Sequence, residues 1–291
     1  MQPFGVAPPG FRLPAGTRVG ELHLRVSDLA RSARFYESAL GFRVLSTSGD
    51  SVSLGAQGDE ARPLVHLHGG DAVRPSPGGR LGLYHFAILL PDRAALGRLV
   101  KHLARRRVAM GGGDHLVSEA IYLDDPDRLG IELYSDRPRE GWQHEGRELV
   151  MATEPLDMDD LMRGAGEWGG LPAGSRVGHV HLHVGDLREA ERFYHAALGL
   201  DKVVWSYPGA LFFSAGGYHH HLGTNTWGTG TPPAQDEARL LSWELLVPGG
   251  EAAAAAARSL QTAGFEVEHS GGAFSASDPW GTRVQVAAEQ G

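Results

Sequence analysis

No cysteine occurs in the 291 residues, which removes disulfides, thiolate nucleophiles and Cys-based zinc or iron–sulfur sites together. His and carboxylate remain as the strong metal ligands, and fifteen histidines are available. Long apolar runs are also missing. The longest, Leu81 to Pro91 and the alanine tract Ala252 to Ala257, fall well short of the roughly 20 residues of a membrane helix, so no membrane partner is expected. The N-terminal Met1-Gln2-Pro3-Phe4-Gly5 has no basic patch, apolar stretch or cleavage site of a secretory signal, and the expectation is a cytoplasmic protein. Basic charge is in deficit. With 27 Lys and Arg against 35 Asp and Glu, the net charge of −8 argues against a nucleic-acid surface. The one basic run, Arg105-Arg106-Arg107, reads as a solvated helix end.

What the chain does have is an internal repeat. Leu13-Pro-Ala-Gly-Thr-Arg-Val-Gly20 returns as Leu171-Pro-Ala-Gly-Ser-Arg-Val-Gly178, an offset of 158, and the match continues through Asp28-Leu29 and Asp186-Leu187 to Arg34-Phe-Tyr36 and Arg192-Phe-Tyr194. Each copy opens with period-2 alternation (Leu22, Leu24, Val26; Val180, Leu182, Val184), the pattern of a half-buried strand. Asp28 and Asp186 stand at helix starts, and Gly41 and Gly199 at helix stops. A weaker pair of units begins near Leu83 and Leu240. Four units of one helix and about four strands emerge, near Val19, Leu83, Val177 and Leu240. A connector rich in charge, Gly and Pro separates the two halves, with Trp142 and Trp168 as candidate anchors. The expected boundaries are an N-terminal half 17–135, a connector 136–174 and a C-terminal half 175–289.

A polar residue on the apolar face of a strand costs stability unless it finds a partner, so such positions are informative. His85 opens the strand His-Phe-Ala-Ile. Glu132 sits among apolar neighbours in Gly130-Ile-Glu-Leu-Tyr134. His179 precedes Asp186 by seven residues, as His85 precedes Asp92. Two imidazoles and one carboxylate leave open positions on a metal, the arrangement typical of non-haem Fe(II) oxygenases; Mn(II) shares these ligand preferences. The fourth unit carries Trp243 and Gln285 where the second has His85 and Glu132, so pairing the second unit with the third completes the triad. Each residue has a plainer reading. A lone strand His is ordinarily a hydrogen-bonded structural residue, Glu132 alone is an edge-strand carboxylate, and His219 to His221 a surface cluster. His23 and His181 read as structural, and Glu21 with His66 as a vestigial site rather than a second metal.

Over nearly its whole length the chain resembles the vicinal oxygen chelate superfamily, and specifically its four-module extradiol catechol 2,3-dioxygenases. The likeness rests on Asp186-Leu…Arg192-Phe-Tyr…Leu198-Gly, on Tyr84-His-Phe-Ala-Ile, on Ser118-Glu-Ala-Ile-Tyr-Leu-Asp-Asp-Pro-Asp127 and on Gly217-Tyr-His-His-His-Leu-Gly223. It implies an α+β fold of four βαβββ modules paired into two open barrel-like sheets, with the outer two and the inner two modules together. It also implies His220 as the acid–base residue, Tyr122 and His115 as hydrogen-bond donors near the substrate, Fe(II) as cofactor, and catechol or a substituted catechol with O2 as substrates. By analogy with relatives a homo-oligomer is expected. Substrate-ring contacts are expected from the loops Arg74 to Arg80 and Thr224 to Gly230. The same fold hosts glyoxalase-type isomerases, transferases and metal-free binding proteins. Glyoxalase-type members use four protein ligands with two carboxylates, where the pair proposed here offers one Glu.

Overall fold

The computed structural model describes residues 4–58 and 62–289. Each repeat unit forms a strand, a helix and three strands. Module 1 runs β1 (Arg18–Arg25), α1 (Leu29–Ser38), β2 (Arg43–Ser48), β3 (Ser51–Gly55) and β4 (Pro63–His68). Module 2 follows with β5 (Gly82–Leu89), α2 (Arg93–Arg105), β6 (Gly111–Asp114), β7 (Ser118–Asp124) and β8 (Gly130–Asp136). The connector folds a two-stranded hairpin, β9 (His144–Glu145) with β10 (Glu148–Leu149), and a short helix α3 (Met158–Met162). Module 3 is β11 (Arg176–His183), α4 (Leu187–Ala190), β12 (Asp201–Val204), β13 (Ala210–Ser214) and β14 (Leu222–Asn225). Module 4 is β15 (Arg239–Val247), α5 (Gly250–Thr262), β16 (Glu268–Ser270), β17 (Ala273–Ser277) and β18 (Arg283–Ala288).

The helix boundaries follow the expected signals. Asp28, Asp92 and Asp186 each accept a backbone amide of the first turn through the side-chain carboxylate, satisfying donors that a helix start leaves orphaned. Gly41 and Gly199 end their helices at φ +76° and +100°, a conformation in which a Cβ would be strained. The third helix departs from the regular pattern: after Ala190 it widens into a π-helical segment, Glu191–Ala197, where the Leu198 amide bonds Phe193. Trp142 packs with Val117, Leu149, Val203 and Tyr218 in a small separate core, and Trp168 packs against the main one. Both tryptophans therefore anchor the connector.

Two eight-stranded sheets result, and neither belongs to one half of the chain. The inner sheet has the order β12-β13-β14-β11-β5-β8-β7-β6 and the outer one β16-β17-β18-β15-β1-β4-β3-β2. Modules 2 and 3 meet through antiparallel β5 and β11, modules 1 and 4 through antiparallel β1 and β15. Within a module the first and last strands are parallel. Within each half, helix-to-turn contacts tie the outer sheet to the inner one: Tyr36 of α1 donates to Asp125 in the turn before β8, and Tyr194 donates to Asp278 in the matching turn before β18. Asp127, fully buried, accepts from Ser27 and Arg31. These contacts hold in place the turn that leads into Glu132.

The strand register corrects one equivalence. His23 pairs with Ser242 as its repeat counterpart His181 pairs with His85, so Ser242, not Trp243, occupies the position of His85. Trp243 corresponds to Phe86, and both are fully buried in the core. A one-residue slip turns a strand side chain to the opposite face.

Candidate metal centre

His85 stands on β5, Glu132 on β8 and His179 on β11, three adjacent strands of the inner sheet. β5 pairs with β8 so that Ala87 faces Glu132, and with β11 so that Ala87 also faces His179; the three side chains thus meet on one side of the sheet. His85 Nε2 lies 3.0 Å, and His179 Nε2 3.1 Å, from the same oxygen, Glu132 Oε2. One potential ligand atom from each residue falls within 4.8 Å of the others, and all three residues are at most 5% exposed. Gly178 makes the approach to His179 possible: a Cβ there would stand 1.8 Å from the Tyr134 hydroxyl, whose ring packs on His179 at 5.0 Å.

The donor set fits a divalent cation. His85 Nε2 is buried and, although 3.0 Å from Glu132, makes no aligned hydrogen bond; His179 Nδ1 is also without a partner. Buried polar atoms without partners are uncommon enough to need a reason. Burial pushes both imidazoles below their ordinary value, while the same burial is overcome at Glu132 by His179 and His85, which hold the carboxylate well below its usual range. Neutral imidazoles beside an ionised carboxylate are the protonation states that metal binding requires.

Beside these residues opens a cavity of about 250 Å³ lined by Tyr84, His115, Tyr122, His181, Phe212 and His220 among others. Tyr122 donates its hydroxyl to His115 Nε2 at 2.6 Å, and His115 Nδ1 donates to the Ala152 carbonyl at 2.8 Å. Because that carbonyl can only accept, His115 is fixed with its proton on Nδ1. Burial, then Glu132, pushes the Tyr122 hydroxyl well above its usual value, so it stays a neutral donor. His220 rests on the His179 ring at a centroid distance of 4.0 Å, and burial holds it well below the ordinary imidazole value. Of the six residues singled out in the sequence, five line this cavity, and His179 stands behind it against Glu132 and His220.

Other contributors were not legible. His219 contacts His220 at 2.7 Å and Asp136 at 3.0 Å, linking His220 to a partly exposed carboxylate. His181, read as structural, lines the cavity and accepts from Asn225 Nδ2 at 3.0 Å; its identity in both repeats masked the difference in surroundings. Met151, Ala152 and Thr153 of the connector form part of the wall, which no strand periodicity announces. Of the two expected substrate loops, the second supplies Trp227 to the cavity. The first turns away, with Arg74 paired to Asp236 and Arg80 to Glu237.

Comparison with known proteins agrees with this architecture. The family model described as the Glyoxalase/Bleomycin resistance protein/Dioxygenase superfamily matches residues 18–133 and 176–286. A catechol-2,3-dioxygenase of Bacillus subtilis (strain 168) is 42% identical over 270 residues, covering 90% of this chain and 94% of that one. Among solved structures, a provisionally named dioxygenase from Bacillus subtilis superposes with a TM-score of 0.63 at 14% identity, covering 94% of this chain and 86% of that one. Glyoxalase I from Zea mays gives 0.54 at 17% identity, covering 94% of this chain and 92% of that one. At these identities the two structures share the fold alone. With both matched segments lying on the paired βαβββ modules, the chain belongs to the Glyoxalase/Bleomycin resistance protein/Dioxygenase superfamily.

Proposed function

We propose that the protein is an extradiol dioxygenase: it binds Fe(II) through His85, Glu132 and His179 and opens a catechol ring with O2, both oxygen atoms entering a 2-hydroxymuconic semialdehyde. The observation that carries the reading is the convergence of two buried, neutral imidazoles on one ionised carboxylate oxygen beside a cavity. The 42% identical relative named catechol-2,3-dioxygenase supports the substrate class. In this reading the halves 17–135 and 175–289 share one centre, two ligands from the first and one from the second.

When bound, the cation supplies open coordination positions and the electron-transfer chemistry that lets a diol and dioxygen react. The protein's own groups handle binding and protons. His220, held neutral by burial, takes a proton from the incoming diol and returns it on ring opening, a role worth about 10²–10⁴-fold in rate. Tyr122, kept protonated, offers its hydroxyl to the substrate oxygens and to developing negative charge, and His115, whose Nδ1 proton is taken by the Ala152 carbonyl, positions that hydroxyl through Nε2. Phe212, Tyr84 and Trp227 flank the cavity and exclude water from the ring face. An isomerase using four protein ligands is disfavoured. The position related to His179 as Glu132 is related to His85 is Gly223, which pairs with His181, so that corner offers no ligand.

The test is O2 uptake and appearance of the yellow ring-opened product when anaerobically Fe(II)-loaded protein meets catechol, beside His85→Ala and His179→Ala. Turnover in the wild type with loss of iron in both variants is expected. A wild type that holds metal but leaves catechol and substituted catechols intact would overturn the assignment.

A further inference from the structure

The outer half-barrel repeats the backbone relation that builds the inner centre. In module 2, Ala87, two residues beyond His85, pairs with Glu132. In module 1, His23, two residues beyond Glu21, pairs with His66. Glu21 and His66 therefore stand in the same relation as His85 and Glu132, with carboxylate and imidazole exchanged. The contact follows: His66 Nε2 lies 2.5 Å from Glu21 Oε2. His23 adds a third donor from the same strand as Glu21, its ring stacked on His66 at 4.4 Å and 6°. One potential ligand atom from each of Glu21, His23 and His66 lies within 4.8 Å of the others, the same criterion the inner triad meets.

The surrounding contacts suit ligation rather than a bare ion pair. His66 Nδ1 bonds Ser53 Oγ at 2.9 Å, and His23 Nδ1 bonds His68 Nε2 at 2.9 Å. Each imidazole is thus held at one nitrogen, leaving the other for a ligand role, the usual way a protein orients metal-binding histidines. Glu244 of module 4 accepts the Glu21 amide at 3.2 Å and brings a second carboxylate to the cluster. The Glu21 side chain is 38% exposed, so a cation has a path in.

We infer that Glu21, His23 and His66 form a second site, for a divalent first-row transition metal of the zinc class. Two imidazoles exclude calcium and magnesium, which prefer all-oxygen shells, and select zinc-like cations. This site pins β1 to β4 across the centre of the outer sheet. It is separate from the ring-opening centre on β5, β8 and β11, and its existence does not depend on that reaction.

The experiment counts metal. Full-length protein is stripped with chelator, reloaded with Zn(II), freed of excess by gel filtration and analysed for zinc per chain; thermal unfolding with and without Zn(II) is recorded on the same samples. Two zinc per chain are expected in the wild type, one in His66→Ala, one in His85→Ala and none in the double variant, with Zn(II) raising the unfolding midpoint of His85→Ala. Glu21→Gln, close in shape to the native side chain, replaces His66→Ala should the latter fail to fold. One zinc in the wild type and none in His85→Ala would overturn the second site while leaving the inner one intact. One zinc in the wild type that survives His85→Ala but not His66→Ala would sustain the outer site and remove the inner.

Discussion

The inner and outer half-barrels hang their polar side chains on the same four backbone positions. In the inner one these are His85, Glu132, His179 and Gly223; in the outer one the register gives Ser242, Gln285, Glu21 and His66. The inner trio is sealed from solvent, with a cavity beside it, whereas the outer cluster is only half-buried. A further difference lies two and one residues before the last strand's central pair: His220 and His221 precede Leu222, where Pro63 and Leu64 precede the equivalent Val65. The frame thus provides places for ligands, and the residues that fill them decide whether chemistry follows. The inner trio has His220 and a cavity beside it, whereas Pro63 stands at the position of His220 in the outer half.

The largest effect should come from the group the outer half lacks. His220→Ala is expected to lower kcat by about 10²–10⁴-fold while zinc or iron per chain stays unchanged, measured by steady-state O2 uptake and metal analysis on one preparation. A drop in bound metal instead would make His220 part of the metal's support and erase its distinct role.

Next comes the register at the fourth module. With Trp243 in the core and Ser242 at the ligand-equivalent position, Trp243→Ala should cost about 3–5 kcal/mol of stability, and Ser242→Ala should stay within about 0.5 kcal/mol. Urea unfolding reads both. Equal costs would contradict the correspondence of Ser242 with His85.

The effect expected to be smallest at neutral pH is a pH slope. Burial depresses His221 from 6.5 to about 3, and its Nδ1 accepts the Ala215 amide at 3.2 Å. The unfolded chain takes up this proton near the ordinary value and the fold does not until about 3. Its contribution is therefore intact above pH 6.5 and shrinks as pH falls toward 3, by about 1.4 kcal/mol per pH unit. His221→Asn, whose side-chain oxygen can take the same amide hydrogen, should flatten that part of the profile. An unchanged slope would assign the acid sensitivity to other groups.

Much of this was legible because it is written in local chemistry. Asp28, Asp92 and Asp186 mark helix starts by their side-chain type, and a Glu at position 132 between Ile131 and Leu133 is conspicuous because a buried carboxylate must have partners. The equivalence of Ser242 and His85 was hidden because Leu240 and Leu241 match Leu83 equally well in character, and only the strand register, which sets Leu240 opposite Leu24 as Leu83 stands opposite Leu182, chooses between them. Trp243 therefore took a site position in the linear reading although its ring belongs with Phe86. His23 and His181 looked alike because they are the same position of the repeat, yet one stacks on His66 and the other borders the cavity.

By itself the sequence determined four modules, their helix caps, the candidate inner ligand triad and, through the unequal supply of ligands, the pairing of the second module with the third. Only the tertiary structure decided that the connector's Met151 to Thr153 wall the cavity, that His219 joins His220 to Asp136, and that His23 completes a cluster with Glu21 and His66. The physical reason is the same in each case: these contacts join residues through strand register and chain crossing, which set distances in space while leaving no periodic trace along the chain.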